Sequence, residues 1–309
     1  MPGRYSIAQW IVPSDPESPR RFSVIIAVLV FLPAALALPQ RSVALLQIPA
    51  TTNENRAPSA PPQKRPPQAR TQGEYNDYNT AYATGGAPAM EKAANDFAAK
   101  YPTSELRSYL YAKALHDYQN ENNPGKMLAM GEKVLALDPD HTIALVLTAT
   151  VLADSLSDTD LNRDQKIAQI KKNSTHALDT VDAAFVPPAG ATAEKIDAYK
   201  STLRSMAHSA LGIMELKCGD NVAAEKDLQA ASALNKTQPD PYIWYHLALA
   251  QDHQKKYADA LASVRQALQY TSGNPDLDSL AKGEQERLIR LTGKPATPFK
   301  APDKPAPQP

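Results

Sequence analysis

Cysteine is almost missing from this sequence, since Cys218 stands alone among 309 residues. A single thiol cannot form an intramolecular disulfide framework, and it cannot supply the ligands of a cysteine-rich zinc site. Net charge is missing too, because 33 Lys and Arg balance 33 Asp and Glu. Nucleic-acid-binding proteins carry clustered positive charge, and acidic disordered chains carry a large negative excess. The composition therefore argues against both classes.

Motifs that mark catalytic or cofactor sites are also missing. The sequence contains no G-x-x-x-x-G-K-[ST], G-x-S-x-G, H-E-x-x-H or G-x-G-x-x-G. Residues 154–165 carry aspartates with the spacing of a calcium loop, but Arg163 and Gln169 stand where that loop requires Gly and Glu. We expect this stretch to be a solvated loop that ends at Asp164 as the N-cap of the next helix. The sequence thus predicts a non-catalytic protein with no metal and no cofactor.

One apolar run approaches the length of a membrane span, the 17 residues from Phe22 to Leu38. A spanning helix needs roughly 20 apolar residues. Ala35 and Ala37, near the end of the run, have the A-x-A spacing of a signal cleavage site. We expect residues 1–38 to be a secretory signal peptide, or alternatively residues 22–38 to stay as an inner-membrane anchor. Both interpretations place the rest of the chain in the periplasm or cell envelope.

Proline is concentrated in two stretches that flank the centre of the chain. Residues 39–88 include the pairs Pro61-Pro62 and Pro66-Pro67, and residues 294–309 are also rich in proline. Proline lacks the backbone donor of a helix and restricts the residue before it. We therefore predict a disordered linker over 39–88 and a disordered tail over 294–309.

Between these stretches, apolar residues recur with helical spacing. Ile196, Tyr199, Leu203, Met206 and Ala210 lie on one face of a helix. Residues 143–153 form a short apolar segment whose length and helical neighbours favour a buried helix over a strand.

The helical region also contains a longer period. Counted from Pro241, repeat positions 4, 7, 8, 20, 24 and 27 hold Trp244, Leu247, Ala248, Ala260, Val264 and Ala267. Counted from Ser205, positions 7, 8, 20, 24 and 27 hold Leu211, Gly212, Ala224, Leu228 and Ala231. Counted from Ser108, positions 4, 11 and 32 hold Tyr111, Tyr118 and Pro139.

This pattern resembles the tetratricopeptide repeat (TPR), a pair of helices A and B of about 34 residues, in the form found in bacterial envelope proteins. The resemblance implies an all-α fold, a right-handed α-α superhelical solenoid over 89–293. Small residues at positions 8 and 20 would let helices A and B approach closely. The repeats would lie near 108–140, 142–183, 205–238 and 241–272, the second of them stretched by the 154–165 insert, with a capping helix at 275–292.

The resemblance also implies a binding surface, because positions 2, 5, 9, 12 and 13 of helix A face the concave groove in this family. The groove residues carried over in this way are Tyr109, His116, Met206, Ile213, Tyr242, Tyr245, Leu249, Asp252 and His253. Positions 5 and 9 lack the Lys, Arg and Asn that grip the carboxylate of chaperone tails, so binding of such tails is not expected. We expect a scaffold that binds a protein or peptide, or alternatively a structural or assembly component of a membrane-tethered complex.

Overall fold

The computed structural model describes residues 64–187, 190–235 and 239–293. Within these ranges the regular structure is helical and no strand occurs. The helices are α1 (Gln72–Tyr82), α2 (Ala87–Lys100), α3 (Arg107–Asn120), α4 (Pro124–Leu137), α5 (Thr142–Ser155), α6 (Arg163–Ala184), α7 (Ala193–Lys217), α8 (Asn221–Leu234), α9 (Pro241–His253), α10 (Tyr257–Leu268) and α11 (Pro275–Thr292). The predicted all-α fold class is confirmed, and within each of the two units described below helices consecutive in sequence pack side by side as in a TPR-like solenoid.

The chain divides into two compact units, and the boundary lies within α7, between Ala210 and Leu211. Unit 1 comprises the described residues up to Ala210, and unit 2 comprises those from Leu211 onward. Unit 1 contains α1 to α6 and the first part of α7. Unit 2 contains the end of α7 and α8 to α11.

Helix α1 corrects the predicted linker, which extended over 39–88 and included these residues. Thr71 caps the helix by accepting a 3.1 Å hydrogen bond from the backbone nitrogen of Glu74, and the Glu74 carboxylate accepts one of 2.7 Å from the nitrogen of Arg70. The ring of Tyr78 is buried and meets that of Phe97 edge to face at 6.3 Å. A capped helix with an apolar face to bury is stable here because the paired prolines end at Pro67.

Helix α5 is the most buried element of unit 1. Every residue from Ala144 to Ala153 is buried, which confirms the buried helix predicted for this segment. Its polar side chains bond within the unit: the Thr148 hydroxyl donates to Ala144 O at 2.7 Å and accepts from Asn173 Nδ2 at 2.8 Å. Helix α5 can therefore lie between its neighbours without leaving this hydroxyl unsatisfied.

Unit 2 shows why the repeat needs small residues at fixed positions. A Cβ placed on Gly212 would lie 2.6 Å from Leu228 Cγ and 3.2 Å from the backbone oxygen of Ala224. In the next hairpin Ala248 and Ala260 are fully buried in a common apolar cluster. Close approach of the two backbones is what lets each hairpin bury its inner face.

Two local expectations need correction. Helix α6 begins at Arg163 and residue 162 holds the N-cap position, so Asp164 is not the cap; its carboxylate instead lies in the first turn, where it complements the helix dipole. The capping helix α11 buries Leu277 and Leu288 but leaves Leu280 and Leu291 exposed, because only one face of this helix packs on unit 2.

Several predicted segments lie outside the described residues. These are the signal peptide or anchor with Ala35 and Ala37, the linker over 39–63 and the tail over 294–309. Among the helices that are described, none combines the length and apolar character needed to cross a membrane.

The close approach at Gly212 is testable by substitution. Gly212→Ala should destabilise unit 2 by about 1–3 kcal/mol, because the fully buried Leu228 and the α8 backbone leave no room for a methyl group. Gly283, an exposed helical residue of α11 with open space around it, is the matched control. Gly283→Ala should stabilise the protein by roughly 0.5–1 kcal/mol through helix propensity. Urea unfolding followed by circular dichroism measures both, and a neutral Gly212→Ala would contradict the packing described.

Candidate functional site

Unit 1 contains a cavity of about 140 Å³ between its first helices and the beginning of α7. Its wall is formed by the helix A faces of α3 and α5, the end of α6 and one face of α7. The lining comprises Lys64, Tyr82, Tyr109, Ala112, Lys113, His116, Gln119, Asp138, His141, Thr142, Ile143, Val146, Leu147, Ala184, Phe185, Val186, Tyr199, Thr202, Leu203 and Met206. Most of this surface is apolar.

The structure brings together the predicted groove residues of unit 1. Tyr109 and His116 lie on the cavity side of α3, together with Ala112 and Gln119 of the same helix face. Met206 of α7 contributes to the same wall. Positions 109 and 119 are ten residues apart, which corresponds to about 15 Å along the helix axis. The cavity thus belongs to a surface long enough for several residues of an extended peptide.

One end of the cavity is formed by the N-terminus of α5 and the segment before α1. The backbone nitrogen of Lys64 donates a 2.9 Å hydrogen bond to Ala183 O, and its ammonium group pairs with Asp138. His141 Nδ1 accepts a 3.2 Å hydrogen bond from Ala144 N and so caps α5. Burial lowers the pKa of His141, an effect that Lys64 reinforces and nearby Asp138 opposes. The imidazole therefore stays neutral near pH 7 and can keep its role as an acceptor.

Lys113, another residue of the cavity lining, carries a charge that is neutralised locally. Lys113 Nζ pairs with Asp117 at 2.7 Å, donates to Thr84 O at 3.1 Å and lies 5.8 Å from the centre of the Tyr82 ring. Burial raises the pKa of Tyr82 to about 12, and it raises the pKa of Tyr109 to about 12 as well. The two phenols are therefore uncharged at neutral pH.

Several lining residues had no place in the predicted groove. Phe185 and Tyr199 lie close together with ring centres 6.3 Å apart, and Leu203 lies one turn further along α7. The apolar helix face that includes Tyr199, Leu203 and Met206 is visible in the sequence, so these residues could have been found from it. Lys64 could not have been found from the sequence, because it lies in a proline-rich stretch with no helical pattern.

The predicted groove residues of unit 2 are placed differently, and two of them bond to α11. Tyr242 Oη accepts a 2.5 Å hydrogen bond from Asn274 Nδ2, and Asn274 in turn caps α11 by accepting from Leu277 N at 3.2 Å. Asp252 forms an ion pair with Arg287 of α11. These two side chains hold α11 against α9 and are structural.

The remaining predicted groove residues of unit 2 lie on α9 and on the last part of α7. Tyr245 and Leu249 are half-buried on α9, and His253 is exposed with its Nδ1 3.1 Å from Asn221 Oδ1 of α8. Ile213 is only 2% exposed. Its assignment to the groove is therefore wrong, because this apolar side chain is packed in the interior, where its burial is favourable.

The repeat-defining residues lie where the hairpins are built. Gly212, Ala224, Leu247, Ala248, Ala260 and Ala267 are buried, and Leu211 and Trp244 are half-buried. They form the scaffold and leave the outward positions of helix A to differ between repeats. In the part of the chain that the structure describes, no group of three or more His, Cys, Asp or Glu side chains is arranged to hold a metal ion.

No protein-family model matches the sequence, and no curated protein matches it. Among solved structures, the chain is similar to a thermophilic TPR protein of Thermus thermophilus, with a TM-score of 0.41 and 17% sequence identity over 68% of this chain and 98% of that one.

His246 of α9 provides a pH-dependent test of unit 2. Desolvation by burial lowers the pKa of His246 to about 4, and its Nδ1, 2.8 Å from Tyr242 O, must carry the proton that this oxygen accepts. An unfolded imidazole has a pKa of about 6.5. Between about pH 6.5 and 4 the unfolded chain thus binds a proton that the folded chain does not, and stability falls as the pH is lowered through this window.

We expect the wild-type protein to lose about 1–3 kcal/mol of stability between pH 7 and pH 4 through His246. His246→Gln should remove that part of the pH dependence, whereas the same change at the exposed His253 should leave it in place. Urea unfolding followed by Trp244 fluorescence at several pH values measures the difference. If the free energy of unfolding changed with pH in the same way in wild type and in His246→Gln, this account of His246 would be wrong.

Proposed function

We propose that this chain is a non-catalytic scaffold that binds a peptide or an extended protein segment along the helix A face of unit 1. The observation that carries the proposal is the cavity itself. Residues of α3, α5 and α7 together line one concave, mainly apolar surface. Binding sites of this kind are typically concave and apolar with a few polar groups that fix orientation.

The lining supports binding more strongly than it supports chemistry. It contains no serine or cysteine among the described residues, and His141 uses its Nδ1 to cap α5. Its two lysines are held by Asp138 and Asp117. A nucleophile activated by a neighbouring base, which is the usual mark of a hydrolytic or transferase site, does not occur in this wall. We therefore favour recognition over catalysis.

The proposed location is the bacterial cell envelope, and it rests on the sequence. The apolar run at 22–38, the small residues Ala35 and Ala37, and the proline-rich stretch after them have the order of a signal followed by a spacer. In this proposal the helical units act outside the cytoplasm, and the spacer sets their distance from the membrane.

Filling the cavity tests the binding proposal. Ala112→Phe places a ring in the space beside α3, and capture of the native partner by the full-length protein should fall at least tenfold. Ala99→Phe is the matched control, because Ala99 is exposed on α2 and lies outside the cavity lining. Affinity purification followed by quantitative mass spectrometry compares wild type with both variants.

The control determines how the result is interpreted. Loss of the same partner in both variants would indicate a general defect, and circular dichroism identifies it. Retention of every partner by a well-folded Ala112→Phe protein would contradict the proposed site.

Cell fractionation tests the proposed location. The mature protein should be found in the envelope fraction, and N-terminal sequencing should begin just after Ala37 if the signal is cleaved. An intact N-terminus in the inner membrane would indicate the anchor instead. Recovery of the intact chain from the cytosol would exclude both forms of export.

A further inference from the structure

A segment without helix or strand, residues 64–70, lies along one edge of unit 1. We call it the strap. The backbone nitrogen of Lys64 donates to Ala183 O in the last turn of α6 at 2.9 Å, and its ammonium group pairs with Asp138, directly after α4. Arg65 then reaches the connection between α2 and α3. The strap therefore contacts the ends of α6, α4 and α2, in the order opposite to that in which the chain forms these helices.

Glu105, between α2 and α3, is bonded to the strap twice. Its two carboxylate oxygens accept hydrogen bonds of 2.9 and 2.7 Å from the two terminal nitrogens of Arg65, a paired geometry that lysine cannot reproduce. The backbone N–H of Gln68 donates to the same carboxylate. Nearby, Arg70 donates to Thr103 Oγ1 at 2.9 Å. The hydrogen bond from Arg65 lowers the pKa of Glu105 below its usual value, so the carboxylate stays charged at neutral pH.

The prolines of the strap suit its extended course. Pro66 and Pro67 fix their own backbone angles and hold the preceding residues in an extended form. Pro67 is buried, and Ala69 packs against the apolar core of unit 1. Six residue steps of about 3.1 Å span roughly 19 Å in the polyproline form, comparable with two spacings of about 8–10 Å between packed helices. The strap thus reaches all three connections and loses little conformational freedom when it docks.

The contacts that hold the strap are of a kind that can be exchanged. Arg65 and Glu105 are both exposed, and ion pairs between exposed groups contribute little to stability. Pro67 is the one buried residue of the strap. Lys64 and Asp138 also belong to the cavity lining. A segment that fills the cavity and continues past this end therefore meets the strap.

We propose that the strap is a resident pseudo-ligand, and that a partner segment of the same chemistry, two basic residues followed by prolines, binds unit 1 by displacing it. This rests on the proposed function and names the charge and the backbone form of the segment that is recognised. When the strap leaves, the carboxylates of Asp138 and Glu105 and the oxygen of Ala183 need new partners. Lysine and arginine of the incoming segment supply them, whereas an acidic segment would be repelled.

A synthetic peptide with the sequence of residues 64–70 is the probe, and the full-length protein is the receptor. In the double variant Lys64→Glu/Arg65→Glu, the new carboxylates repel Asp138 and Glu105 and release the strap. The labelled peptide should bind this released protein about tenfold or more tightly than it binds wild type, in which the strap competes at high effective concentration. Fluorescence anisotropy gives both affinities, and circular dichroism checks that the released protein is folded.

Variants of the released protein test the recognition of arginine. Glu105→Arg should abolish binding of the peptide, and a second peptide that carries Arg65→Glu should then regain affinity, because the ion pair is restored with its charges reversed. Glu132→Arg is the matched control, since Glu132 is an exposed carboxylate of α4 outside the strap contacts. This control should bind the first peptide as the released protein does.

Absence of peptide binding to the released protein would overturn the proposal, as would equal affinity for wild type and released protein, or unchanged binding in Glu105→Arg. Failure of the scaffold function gives a different result. A native partner lost in Ala112→Phe, combined with no binding of the peptide, refutes the exchange of the strap alone. A partner that persists in Ala112→Phe, combined with binding of the peptide, refutes the cavity and leaves the strap edge as a binding surface.

Discussion

The close approach of two helix backbones inside each hairpin is the constraint on which the rest of the structure depends. At Gly212 the neighbouring helix lies so near that even a methyl group would overlap with Leu228, and Ala248 and Ala260 are fully buried in the next hairpin. Interiors packed at this density do not tolerate added volume. Because the small residues hold helices A and B together, the larger residues are free to pack between hairpins, and the outer face of helix A is left for other contacts.

The two units use that outer face in different ways. In unit 1 it lines a cavity, in which Tyr109, His116 and Met206 share one apolar wall. In unit 2 part of the corresponding face is bonded to α11, through Tyr242 with Asn274 and Asp252 with Arg287. The same repeat positions thus line a cavity in one unit and close the fold in the other. What decides between them is whether a further helix packs against the face.

Much of the helical scaffold could be predicted from the sequence, because the spacing of small and large apolar residues reflects packing within one hairpin. Helix α1 could not be predicted, since the nearby Pro66 and Pro67 suggested a linker and drew attention away from the Thr71 cap and the apolar face of this helix. Lys64 was missed for a related reason: its role depends on contacts with Asp138 and Ala183, far away in sequence. Ile213 was misassigned, because a repeat position does not reveal how deeply its side chain is buried.

Site-specific photo-crosslinking is the most direct test of the claim that the helix A face of unit 1 binds the partner. A photoreactive amino acid at position 116 would lie at the cavity, and one at position 99 would lie on the exposed side of α2. We expect irradiation in native cells to attach a partner protein at position 116 and not at position 99. Crosslinks from position 99 alone, with none from position 116, would contradict the central claim.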